Sequence, residues 1–221
     1  MKKITLLLLL CCLCTACGTK DEVSQETGVI VSEEIEVTKK VFPLPSTIDI
    51  NALDNCTVAV SINEGDIFVD EGGKTQLKVT VYDMDLYDMV DIANLKEGDT
   101  IVIQGSDVLV ETLERTESGL LLINGGMEND GYDLWHNDSG VYFEQGYSDT
   151  KSYYAIGDAT LQVSENFDFA DSSDPDKGEA VYHADDLLKN DSEIVYHFTP
   201  NNTKIVIENG EVTHLIRVYT P

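Results

Sequence analysis

Positive charge is scarce in this chain. Its 221 residues hold 14 lysines and arginines against 41 aspartates and glutamates, a formal charge of −27. Nucleic-acid binding draws on lysine and arginine that displace counterions from phosphate, so that class is excluded. Docking of the protein surface on anionic lipid is disfavoured for the same reason. Self-repulsion on this scale keeps a protein soluble and points to a monomer. Cations and cationic partners remain open to it. Cysteine is equally scarce where a fold would use it. Four of the five lie within residues 11–17 and only Cys56 in the rest, which excludes a disulfide framework. No apolar run reaches the roughly 20 residues of a membrane-spanning helix. His-Glu-x-x-His, Gly-x-Ser-x-Gly, phosphate-loop and dinucleotide fingerprints are all missing. That removes the motif-bearing enzymes, but not catalysis as such, because catalytic groups are recognised by geometry.

What is present begins with a leader. Met1-Lys2-Lys3 is a short basic start, and Ile4 to Ala16 is a leucine-rich apolar run. A basic start, a short apolar stretch and small residues at a cut site describe a secretory signal peptide. The end of it, Leu13-Cys14-Thr15-Ala16-Cys17, resembles the lipobox of bacterial lipoprotein precursors, over the first 18 residues only. The resemblance implies cleavage after Ala16 and a diacylglyceryl group on Cys17. Cys14 stands where that pattern usually has leucine. Two acyl chains anchor a protein stably where one does not, so the expected location is extracytoplasmic, held to the cell membrane by lipid. Residues 17–44 are expected to be a disordered, acidic tether, with too few apolar residues to offset the entropy of folding.

Residues 45–221 read as a single β-rich domain. Alternating apolar and polar residues fill Thr75 to Tyr82, Thr100 to Gln104, Leu120 to Asn124, Lys204 to Glu208 and Val212 to Tyr219, among others. Helix signals are confined to 88–95 and 184–189. The expected fold is mainly β, an antiparallel barrel or sandwich with one or two short helices. Asn63-Glu64-Gly65-Asp66, Lys96-Glu97-Gly98-Asp99 and Glu208-Asn209-Gly210-Glu211 all read as bulged hairpin turns.

Three stretches are candidates for chemistry. Seven of the 17 aromatic residues fall within 132–154, interleaved with acids and amides. Flat rings beside polar side chains suit the recognition of sugars or peptides, and Tyr132, Trp135, His136 and Tyr147 are the expected contacts. Closely spaced acids at Asp171, Asp174, Asp176 and Glu179 are candidate calcium ligands, without the spacing of the helix–loop–helix calcium motif. Asp83 and Asp85 are a carboxylate pair on one strand face, the minimum for glycoside hydrolysis. The leading expectation is a non-catalytic surface module that binds a glycan, cell-wall component or peptide. A calcium-stabilised adhesion domain and an extracellular hydrolase are the alternatives.

Overall fold

A computed structural model describes residues 38–189, 194 and 197–220. The leader, Cys17 and most of the tether lie outside the described residues. In chain order the strands and helices are β1 (Lys40–Val41), β2 (Cys56–Ser61), β3 (Ile67–Val69), β4 (Thr75–Asp83), β5 (Leu86–Tyr87), α1 (Met89–Ala93), β6 (Thr100–Ile103), β7 (Ser106–Leu109), β8 (Leu113–Arg115), β9 (Leu121–Ile123), β10 (Tyr132–His136), β11 (Tyr142–Gln145), β12 (Tyr154–Ser172), β13 (Ala180–Tyr182), α2 (Ala184–Leu188), β14 (Thr203–Glu208) and β15 (Glu211–Val218). The chain is mainly β, as its alternation predicts. Helix α1 starts where Asp88 caps the Val90 N–H at 2.7 Å.

Five strands form a closed barrel. In β4, Leu77, Val79 and Val81 point inward, while Lys78 between them is exposed. Strand β2 pairs with β4 and with β14, and β14 pairs with β15, all antiparallel. The nineteen-residue β12 completes the ring. Its first half pairs antiparallel with β4, and its second half pairs parallel with β15. The order β14–β2–β4–β12 is a Greek key, and β15 fills the gap. Five-stranded barrels of this type include the oligonucleotide- and oligosaccharide-binding architecture, a likeness of fold that carries no function. Strands β3 and β13 extend the sheet beyond the ring. The barrel core includes Val60, Val81, Phe169, Ile205, Ile207 and Leu215, with Leu187 of α2 packed into it.

The segment between β4 and β12 makes a second body with its own core. It holds a five-stranded antiparallel sheet, in the order β5–β11–β10–β9–β8, and completes a three-stranded sheet, β1–β6–β7, with β1 supplied from ahead of β2. Tyr87, Ile92, Ile101, Ile103, Ile123 and Leu134 fill its interior. Both bodies belong to one compact unit, Val37–Pro221.

Two expectations, the tether boundary and the turn type, need correction. Residues 38–44 are not tether. Strand β1 joins β6 in parallel, and Val41 is 1% exposed in the second core. The sheets are mostly antiparallel, with β1–β6 and β12–β15 running parallel. The three glycine turns are not equivalent. Only Asn209-Gly210 joins two paired strands, and both residues have positive φ, 53° and 77°, as a two-residue type I′ loop requires. In the other two, glycine is left-handed and the final aspartate accepts the backbone N–H of the first residue, from Asn63 at 2.8 Å and from Lys96 at 3.1 Å.

The parallel seam between β12 and β15 carries an ion pair. Arg217 stands directly opposite Asp171 and donates to it twice, at 2.9 Å through Nε and 2.5 Å through Nη2. The two side chains are 5% and 12% exposed. The guanidinium also lies 5.3 Å from the Phe169 ring centre and 4.8 Å from that of Phe198. Removing one partner of a buried pair strands the other charge, at a cost of about 3–5 kcal/mol. Arg217→Met should lower unfolding free energy in urea by that amount. The double variant Arg217→Met, Asp171→Leu should regain part of it.

Asp171 also sets a pH dependence. Burial pushes its pKa up, but hydrogen bonds from Arg217 and Ser173 outweigh this and hold it below the usual carboxylate range. The folded chain therefore takes up this proton less readily than the unfolded chain. The stabilisation is complete above the unfolded value, about pH 4, and is lost as pH falls through the lower folded value. Acid unfolding of Asp171→Asn should show lower stability than wild type at pH 7 and a shallower loss below about pH 4.

Candidate functional site

Strand β10 divides its side chains between two faces. Leu134 is buried in the second core, so its neighbours Asp133 and Trp135 lie on the opposite face. In the antiparallel pair with β11, Trp135 stands opposite Phe143 and Asp133 opposite Gln145, which places all four side chains on that face. Ser118 and Leu120, from the turn into β9, come beside them through the β9–β10 pairing. Together Ser118, Leu120, Trp135, Phe143, Gln145 and Asp149 line a hollow of about 430 Å³. That lies within the range of about 300–1,000 Å³ typical of small-molecule sites.

The rim is held by a tight loop. Gly146 N–H donates to the Thr150 carbonyl at 2.6 Å, and Thr150 N–H to the Tyr147 carbonyl at 3.1 Å. Gln145 Nε2 donates to Asp149 Oδ1 at 2.5 Å. Ser148 and Asp149 both adopt left-handed backbone, φ 53° and 59°. Two consecutive non-glycine residues in that region store strain of about 1–3 kcal/mol each. The loop thereby holds the Asp149 carboxylate at the edge of the hollow.

The four expected aromatic contacts have different fates. Trp135 lines the hollow. The His136 ring stacks on it, centres 5.3 Å apart and planes 11° apart, and lies 5.4 Å from Tyr142. Tyr147 is 82% exposed beside the hollow and does not line it. Tyr132 is a correction, since it packs against the second core. Phe143, Gln145, Asp149 and Ser118 were not among the expected contacts. Strand pairing alone brings Ser118 to Trp135, 17 residues on, and no local pattern in the sequence marks it.

The acidic stretch is not one ligand set. Asp171 is bound to Arg217 across the seam, Asp174 pairs with Lys177 at 3.2 Å, and Glu179 accepts from Ser172 at 3.3 Å. The Asp174 pKa is lowered, first by the Lys177 hydrogen bond and then by the Asp176 backbone N–H. Among the described residues no three histidine, cysteine or acidic side chains converge as metal ligands would. Thermal unfolding with millimolar calcium and then with excess EDTA should give the same midpoint, because a ligand shifts the midpoint only by binding the folded state.

The expected carboxylate pair is also divided. Strand β4 ends at Asp83, so Asp85 does not share its face. Asp83 accepts from Ser46 Oγ and from the Met84 N–H. Asp85 is buried and accepts from the Gln104 N–H at 2.5 Å and the Tyr87 hydroxyl at 3.4 Å. Tyr154 also bonds Asp85. Burial, then the charges of Asp85 and Asp83, push the Tyr154 phenol up to about 12. The cluster ties β5, the β6–β7 turn and β12 together, and is a structural clamp. Cys56 is half-exposed, and burial pushes its thiol up, the opposite of an activated nucleophile.

No protein-family model, curated protein or solved structure matches the chain.

Proposed function

We propose that this chain is a non-catalytic binding module for a saccharide, carried at the outer face of a cell membrane by a lipidated Cys17. The hollow at Trp135 supports the binding half of this reading. It combines an apolar floor, Trp135 with Phe143 and Leu120, and a polar rim, Ser118, Gln145 and Asp149. A sugar ring has one apolar face of C–H groups and an edge of hydroxyls. The indole offers the first a flat, rigid surface. A carboxylate, an amide and a hydroxyl offer the second both acceptors and donors. A peptide would also stack on Trp135, but a rim of three short polar side chains around one indole suits hydroxyls better than an extended backbone. The lipobox resemblance supports the surface location.

Among the described residues Asp149 is the one acid that lines the hollow, and it accepts from Gln145.

The test is a glycan panel probed with the full chain. Trp135→Leu keeps an apolar side chain in the sheet and removes the flat ring. Binding of the best glycan should fall at least about 30-fold, the effect of losing an aromatic hot spot, with an unchanged unfolding midpoint. Binding within about threefold of wild type would remove the hollow from the function.

A further inference from the structure

A second hollow, of about 610 Å³, adjoins the first. Its barrel side is the outer surface of β2, β14 and β15, where Thr57, Lys204, Ile216 and Val218 line it. Its other side is the segment before β12, with Lys151 and Tyr153. Lys204 and Ile216 are direct cross-strand partners, so they share a face. Asp149 lines both hollows, which therefore meet at the strained loop.

Neither lysine is held by a carboxylate. Lys39, Lys40, Lys177 and Lys189 are each paired with an aspartate, whereas, among the described residues, Lys74 bonds Gln162 and the Lys78 side chain has no hydrogen bond or ion pair. Among the described residues, the Lys204 side chain has no hydrogen bond or ion pair either, and that of Lys151 has only the Phe143 ring, 5.3 Å away; these two lysines share one hollow. With acids outnumbering bases 41 to 14, two ammonium groups without a carboxylate partner on one hollow make a local positive spot. Among the described residues Asp149 is the one acid lining it, and its Oδ1 already accepts from Gln145. The net charge opposes anions at long range, but salt screens that field beyond about 8–10 Å. Inside the hollow the nearest charges decide.

We infer that the ligand is an acidic glycan, one ring of which stacks on Trp135 while a neighbouring carboxylate sits between Lys151 and Lys204. The inference rests on the saccharide reading above and narrows it to a chemical class. Ile216, Val218 and Tyr153 supply apolar surface for the second ring, and the ammonium groups supply charge-assisted hydrogen bonds.

The probes are oligogalacturonate, oligomannuronate and hyaluronan oligomers, each beside its methyl-esterified, uncharged counterpart. Each is titrated into the full chain, into Trp135→Leu and into Lys151→Gln, Lys204→Gln. Both lysines are exposed, so the double variant should fold as wild type. At least one acidic form should bind about tenfold tighter than its ester. The lysine variant should abolish that difference and leave ester binding unchanged. A Trp135-dependent affinity that neither esterification nor the lysine variant alters overturns this inference and leaves the saccharide reading standing. A preference for the acid that survives in the lysine variant also overturns it. No binding to any member of the three pairs overturns this inference, while the saccharide reading stands or falls on the glycan panel.

Discussion

The barrel closes through one strand. β12 runs for nineteen residues, from an antiparallel pairing with β4 to a parallel pairing with β15. At about 3.3 Å per residue it is much longer than a usual strand, and it serves two partners because its register breaks between Val163 and Asp168. The parallel half is the seam that joins the end of the chain to its middle. Parallel pairing is slightly weaker per residue, and here side-chain hydrogen bonds across the seam supplement it. Asp168 lies against His214 at 2.5 Å, and Asp171 against Arg217. Phe169 and Phe198 cover the guanidinium, so the second pair is removed from water at a point where any mismatch would leave a buried charge.

The second body depends on this closure. It is inserted between two neighbouring strands of the barrel, so its first and last residues are held where β4 and β12 pair. Tyr154 stands opposite Asp83 at that junction, and buried Asp85 collects the Gln104 N–H and the hydroxyls of Tyr87 and Tyr154. The candidate site lies on the outer face of this inserted sheet, and its rim loop leads directly into β12. Site and barrel are thus coupled through a few residues, 148–154. A strained loop can persist there because both of its ends are fixed.

The charge of the chain has two sides. A formal −27 comes from carboxylates many of which are tied into turns, as the half-buried Asp66 and Asp70 and the buried Asp99 are. Such acids shape the backbone and are not free ligands. Their local work explains why dense acidic sequence produced no convergent metal set among the described residues. Lys151 and Lys204 are not held by these acids and line the same hollow, which is the basis for assigning them a role.

The amino-acid sequence by itself determined the strand content, because alternation of burial is a local property with a period of two. It marked β4, β6, β14 and β15 nearly to the residue, and it marked Trp135 as an aromatic among polar neighbours. It did not show β12 as one strand, because Ser164-Glu165-Asn166 interrupts the alternation where the strand bends into solvent. It did not separate Tyr132, which packs on the core, from Trp135 three residues later, because polar neighbours on both sides hid the strand over 132–136 whose period of two puts Tyr132 on the Leu134 face. The pairing of Asp171 with Arg217, of Ser118 with Trp135 and of Lys151 with Lys204 was decided by tertiary structure alone. Each joins residues distant in sequence, and strand register, which no single strand contains, sets which side chains meet.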